Sequence, residues 1–287
     1  MNQLLPFLLP QRGVRGFAVT LSEQLDSMFG WRDYPPDVAT QLGQALAATP
    51  LLAADMHQEG RFNLQFQGQG PLKLLVTQID DSLQLRGMAK HAPSAEGDFQ
   101  ALFGGGLMAA LLEPRRGDNR YQAVVEVLGL ELSEALQIYF ARSEQTQTMI
   151  RLAAGPDKLA GVMLQRLPEG EGRNDDHWHH VYSLFKTVSG DDLLRWDSAD
   201  FLSRVFAEDE VRVFDPRPVQ LRCQCSHAQI SAMLLGLGRD EVDAVIADQG
   251  AVEITCEFCG RQYHYSPAEA HALFQAETQD GAGQTRQ

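Results

Sequence analysis

The chain has 287 residues, and its 44% hydrophobic content can fill more than one core, which excludes a fibrous or wholly disordered protein. Thirty-eight acidic residues against 24 basic ones give a formal net charge of −14, a field that repels phosphate backbones, so no nucleic-acid partner is expected. No apolar run approaches the roughly 18–20 residues of a membrane-spanning helix, so no membrane partner is expected either.

The opening run Leu4–Leu9 is apolar but interrupted by Pro6 and followed by Pro10. With no basic residue before it and no small-residue cleavage site after it, it does not read as a secretory leader, and a cytosolic protein is expected. Pro35-Pro36-Asp37 opens a helix in which Val38, Leu42, Ala45 and Leu46 recur at helical spacing, and Pro50 is expected to bend or end it. Phe62–Gln67 alternates apolar and polar residues, the period of a half-buried strand, and Gly68–Pro71 turns it into Leu72–Ile79 as a hairpin. Ser82–Met88 and Tyr121–Leu128 add strands, and Leu132–Arg142 adds a short helix. Met108–Leu112 has good helix propensity. Gly104-Gly105-Gly106 lacks the lysine of a phosphate-binding loop and reads as a turn. The fold class is α+β with antiparallel neighbours, and residues 1–174 form the N-terminal domain, ending at the turn-rich break Pro168–Asn174.

Residues 175–214 read as a helical linker. Trp178, Val181, Tyr182 and Phe185 share one face, Ser189 with Asp192 resembles a cap, and Phe201, Leu202, Val205 and Phe206 follow Asp197-Ser198 at helical spacing. Helices shorter than about 12–15 residues are marginal in water, so these must dock their aromatic faces on neighbours to persist. Undocking would expose Trp178, Tyr182, Phe185, Trp196, Phe201 and Phe206; the plainer alternative is an ordinary helical linker with a core face. The run Asp175–His180 offers carboxylates and imidazoles, but adjacent helical positions do not face one point, so solvated side chains are favoured over a second metal site.

All four cysteines, Cys223, Cys225, Cys256 and Cys259, fall in residues 215–277, a small C-terminal domain before a polar tail, 278–287, expected to be disordered. In a reducing compartment, a C-x-C and a C-x-x-C pair suit one tetrahedral Zn²⁺, and four sulfurs leave no open position for hydrolytic chemistry. His227 and His264 lie near but are not needed as ligands. Gly260 directly after Cys259 allows a knuckle that points amide hydrogens at sulfur, with Val252, Ile254, Tyr263 and Tyr265 on the arms of a hairpin. Ile230, Met233, Leu234 and Leu237, then Val242, Val245 and Ile246, read as two short helices between the pairs. Three uses remain open: a permanent structural zinc module, a redox switch in which oxidation expels the metal, and a catalytic dithiol. The C-x-C spacing, rarely needed in a purely structural site, points toward the switch.

These cysteine pairs, the Cys256–Tyr263 context CEFCGRQY, and in the same order Val14-Arg15-Gly16, Gln65–Leu72, Leu85-Arg86-Gly87, Tyr121–Val125, Tyr139-Phe140 with Ser143-Glu144-Gln145, and Met163-Leu164-Gln165 with Leu167-Pro168 resemble the redox-regulated 33 kDa heat-shock chaperone family across essentially the whole chain. The resemblance implies an ATP-independent holdase of the bacterial cytoplasm, not an enzyme. Reduced and holding one zinc per chain, it would be folded and inactive. Oxidation would pair Cys223 with Cys225 and Cys256 with Cys259, release zinc, unfold the linker and expose surface for unfolding client proteins, with a homodimer as the oxidised form. Two features depart from the pattern: the helix-like Met108–Leu112, where the family has a strand, and Leu4–Leu9, which matches no family landmark. The alternative function is a constitutive zinc-stabilised protein-interaction adaptor, and a thiol oxidoreductase is a third.

Overall fold

The structure is a computed structural model that describes residues 1–54, 60–115, 121–168 and 175–283, with side chains described to residue 275. The chain begins with β1 (Gln3–Leu9), β2 (Val14–Leu21), α1 (Asp26–Phe29), α2 (Pro36–Leu52), β3 (Gly60–Gly68), β4 (Leu72–Asp80) and β5 (Gln84–His91). It continues through α3 (Phe99–Phe103), β6 (Gly106–Pro114), β7 (Tyr121–Glu126), α4 (Leu132–Tyr139), β8 (Thr148–Ala154) and β9 (Leu159–Arg166). After these come α5 (Asp175–Lys186), α6 (Gly190–Arg195), α7 (Ser198–Val205) and the two-residue strands β10 (Arg212–Val213), β11 (Arg217–Pro218) and β12 (Gln220–Leu221). The last elements are α8 (His227–Leu237), α9 (Arg239–Gln249), β13 (Val252–Thr255), β14 (Gln262–Tyr265) and α10 (Pro267–Gly283). Backbone contacts divide the chain into two compact units, Met1–Arg222 and Cys223–Gln287.

The larger unit holds two sheets, ordered β10-β1-β2-β9-β8 with β11 also on β1, and β12-β5-β4-β3-β6-β7. Every pairing is antiparallel except β12 on β5, so the α+β class stands. Helix α2 contacts strands of both sheets, and its Val38, Leu42, Ala45 and Leu46 are fully buried in the main core. On the other face of the first sheet, α5–α7 cover Leu5, Phe7, Leu9, Val14, Val162 and Leu164 in a second core. With helices on both sides, β9 is buried at every position but its last, and Leu159–Leu164 is a continuous apolar run rather than an alternating one, followed by the buried polar Gln165. The second sheet has a wet face, and over 64–67 β3 alternates, with Leu64 and Phe66 buried and Gln65 and Gln67 exposed, whereas at the start of the expected run Asn63 is buried and Phe62 half-buried.

Two local expectations give way to tertiary context. Pro50 does not end α2, which runs to Leu52; in the last turn a missing N–H removes only one bond. Met108–Leu112 forms a strand instead of a helix, because it pairs with β3 on one side and β7 on the other, and this outweighs weak intrinsic propensity. The glycines before it turn the chain out of α3 with φ of 59°, 85° and 123° at Gly104, Gly105 and Gly106. Leu4–Leu9 lies in β1, where Pro6, lacking an N–H, still accepts from Phe214 N–H at 3.0 Å. The hairpin of β3 and β4 and the helix after Glu131 form where expected, although α4 passes into a π-helical turn over Phe140–Glu144. The backbone of 278–283, expected to lack structure, continues α10; residues 169–174 of the turn-rich break and 284–287 of the tail lie outside the described residues.

Candidate metal centre

The smaller unit has a core of few residues: Leu234, Val242, Val252, Tyr263, Tyr265 and Ala270 are buried together with Cys225 and Cys256. Helices α8 and α9 span the gap between the cysteine pairs, and β13 and β14 form the hairpin with Val252 opposite Tyr265 and Ile254 opposite Tyr263. At the hairpin's end, Gly260 adopts φ 69°, a left-handed conformation that strains any residue with a Cβ. Its N–H donates to the Cys256 carbonyl at 2.8 Å, and Cys256 N–H donates to Arg261 O at 2.9 Å, closing the knuckle. The turn points the N–H groups of Phe258 and Cys259 at Cys256 Sγ, and that of Arg261 at Cys259 Sγ.

All four sulfurs lie within 4.8 Å of one another, with Cys223 and Cys256 Sγ 3.7 Å apart and Cys225 and Cys259 Sγ 3.3 Å apart. A zinc–sulfur bond of about 2.3 Å in a tetrahedron sets sulfurs about 3.8 Å apart, so the spacing fits one such ion. Charge gives a second test of fit. Burial pushes the Cys256 thiol up, against the pull of the amides of Phe258 and Cys259, and the neighbouring Cys223 adds to the rise. Burial likewise pushes Cys259 up, with Cys225 and Cys223 contributing. Burial also disfavours the Cys225 thiolate, but the neighbouring Tyr263 hydroxyl and the other cysteines outweigh it and bring that thiol down to about 7. Four thiolates cannot share this space without a cation, whereas a dication removes the conflict. The four cysteines are therefore placed to hold a metal ion. Among the described residues they are the only group of three or more metal-ligating side chains gathered this way.

The aromatic residues of 175–214 gather on the first sheet of the larger unit. Trp178, Phe185, Phe201 and Phe206 are buried in its second core, and Trp196 packs against it half-buried. Tyr182 does not share that face: it is 45% exposed, at the edge of the stripe set by Trp178, Val181 and Phe185. The expected cap is a full capping box, with Ser189 accepting from Asp192 N–H and the Asp192 carboxylate accepting from Ser189 N–H. Asp197 caps α7. Nothing in the local pattern announced Asp209, whose side chain is 3% exposed and takes Arg12 Nε at 2.6 Å and His180 Nε2 at 3.1 Å, or Lys158, which donates to Trp196 O at 2.6 Å. His179 Nδ1 lies against its own helix, 2.7 Å from Asp175 O.

The model of the Hsp33 protein family matches residues 2–266. The chain belongs to the Hsp33 family. Among the relatives of this Hsp33 chain, the 33 kDa chaperonin of Nitrosococcus oceani is 38% identical over 281 residues, covering 98% of this chain and 96% of the relative. That of Ectopseudomonas mendocina is 35% identical, covering 98% and 97%. The crystal structure of the 33 kDa chaperonin (heat shock protein 33 homolog) from Thermotoga maritima superposes with a TM-score of 0.81 at 20% identity, over 97% of this chain and 99% of that one, and shows a shared fold. Family membership supports a chaperone role, and the Hsp33 relatives are named chaperonins rather than enzymes. No helix among the described residues is long and apolar enough to cross a membrane.

Proposed function

We propose that this chain is a redox-gated, ATP-independent holdase of the bacterial cytoplasm, with Cys223, Cys225, Cys256 and Cys259 as both its metal ligands and its sensor. The observation that carries the reading is the gathering of all four sulfurs within 4.8 Å. Zinc, when bound, supplies charge neutralisation and a cross-link, and in a unit with so small a core its binding free energy is folding free energy. The cysteines hold it only as thiolates. Oxidation to the disulfides Cys223–Cys225 and Cys256–Cys259, the pairing implied by family resemblance, removes two electrons per bond; hypochlorite takes them and leaves as chloride and water. The sulfurs then lack the charge to retain the ion, and the C-terminal unit, residues 215–277 in functional terms, loses its clasp.

Cys223 directly follows Arg222, whose N–H donates to Leu85 O at 3.0 Å, so disorder starting at the cysteines begins one residue from the larger unit. The short helices of 175–214 next lose their docking, baring Trp178, Phe185, Trp196, Phe201 and Phe206 beside the already exposed Tyr182 as a surface for unfolding clients. The same bared surface accounts for pairing of oxidised chains as a homodimer. The test is to treat the reduced protein with hypochlorite, or with peroxide at raised temperature, while following zinc release and the light scattering of a heat-denatured client. Zinc release together with suppressed scattering is expected. Retained zinc, or release with no gain in suppression, overturns the switch, and equal suppression before and after oxidation favours a constitutive zinc-stabilised adaptor.

A further inference from the structure

The two tyrosines of the C-terminal hairpin use their hydroxyls differently. Tyr265 Oη donates to His227 O at 3.2 Å and lies 3.1 Å from Ser231 Oγ, an ordinary structural role. Tyr263, two residues earlier on the same face of β14, is 2% exposed, its ring held edge-on by His227 at a centroid distance of 4.9 Å, and its hydroxyl has no hydrogen bond of normal geometry among the described residues. A buried phenol without a partner is costly. Tyr263 is buried in the same small core as Cys225, and the Cys225 sulfur and the exposed Arg261 guanidinium are the polar groups that interact with its hydroxyl. A protonated thiol is a poor acceptor, whereas a metal-bound thiolate is a good one.

We propose that Tyr263 is a positioning residue of the metal centre, donating its hydroxyl hydrogen to Cys225 Sγ when that sulfur is a metal-bound thiolate. This rests on the reading of the four cysteines as metal ligands. The bond withdraws electron density from Cys225, so this sulfur holds the ion while being the slowest of the four to react with electrophiles. It fixes an order of attack in which the other cysteines open the site first. Outer partners of this kind are typically worth about 10- to 100-fold in metal affinity.

The test uses the full reduced chain loaded with cobalt or zinc, comparing the parent with Tyr263→Phe and with Tyr265→Phe as control. Tyr263→Phe should still take up one metal per chain but yield it to a chelator about tenfold more readily. Its thiolate-to-cobalt absorption band should shift, and Cys225 should be alkylated by iodoacetamide earlier in the sequence of sulfurs; Tyr265→Phe should lower the melting temperature and leave all three readouts unchanged. Should Tyr263→Phe fold poorly, the cadmium-loaded parent still decides: its Tyr263 hydroxyl proton should exchange slowly with water and show a spin coupling to cadmium through the hydrogen bond. Chelator competition and cobalt spectrum within twofold of the parent, or hydroxyl exchange as fast as an exposed tyrosine's, overturn the proposal. A parent that binds no cobalt sinks the metal reading itself, and the donor role with it.

Discussion

Phe7 lies across Gly16. The two residues face each other in register on β1 and β2, and a Cβ at Gly16 would sit 2.1 Å from Phe7 Cζ, inside the ring's own volume. That ring also meets Phe206 at 6.4 Å, which meets Phe201 at 5.9 Å, which meets Phe185 at 6.4 Å. A missing side chain on one strand therefore makes room for an aromatic chain that fastens the 175–214 helices to the sheet.

Gly16→Ala should displace the Phe7 ring from its packing with Phe206 and loosen those helices. Overpacking of this kind costs about 1–3 kcal/mol. The expected outcome is a reduced protein that retains its metal yet is cut by trypsin within 175–210 several times faster than the parent and partly suppresses client aggregation without oxidant. Unchanged proteolysis would show that the aromatic chain does not control docking.

Asp209→Ala removes the anion shared by Arg12, in the turn after β1, and His180, in α5. Asp209 is almost fully buried while Arg12 is a quarter exposed, so the loss leaves one cation in a poor environment, and about 3 kcal/mol is expected. Asp209→Asn keeps the acceptor oxygen and should retain part of that. Chemical denaturation followed by Trp178 and Trp196 fluorescence should report a first transition moved to lower denaturant in the order Asn, then Ala; coincidence with the parent would show that the contact is neutral.

These two anchors mark where the sequence could be read and where it could not. Local periodicity located α2, the β3 and β4 hairpin, α5 to α7 and the cysteine hairpin, because each carries its own pattern of buried positions. It misplaced Met108–Leu112, whose strand state depends on partners more than 40 residues upstream in β3, and it put Tyr182 on a buried face because the i+4 position of a narrow stripe lies at its edge. The four cysteines were legible because metal chemistry demands residue types and spacings that leave few alternatives. Asp209, Lys158 and the Phe7–Gly16 stack were not, since each is a contact between distant segments made by residues unremarkable in their own neighbourhoods.

Metal removal tests the smaller unit. Its buried core is too slight to fold unaided, so a strong chelator under reducing conditions should abolish the ellipticity of α8 and α9 while leaving the β-rich larger unit cooperative. The pH dependence has a definite sign. Burial raises Cys256 and Cys259 in the metal-free unit, so loading must expel their protons, and bound thiolates titrate lower than free thiols. The stabilisation is therefore present at neutral pH and lost as pH falls. Zinc release on acidification, with proton uptake in an unbuffered titration, is the expected result.

Ser189→Ala should act on docking through the capping box of α6. The Ser189 hydroxyl accepts from Asp192 N–H at 3.1 Å, and loss of such a cap is worth about 1 kcal/mol. The hydroxyl also donates to the Asp192 carboxylate at 2.6 Å, and this bond, with a second from Ser189 N–H, holds that acid below the ordinary carboxylate range. A depressed acid contributes stability above its unfolded pKa and loses it as pH falls through the folded value. The difference in melting temperature between parent and Ser189→Ala should thus be largest at neutral pH and shrink on acidification. Helix α6 packs on β8 and β9 and ends at Trp196, which packs on the same core, so the variant should also release the 175–214 helices at lower oxidant exposure than the parent. A melting difference independent of pH would assign the effect to backbone capping alone, with no part for the Asp192 charge.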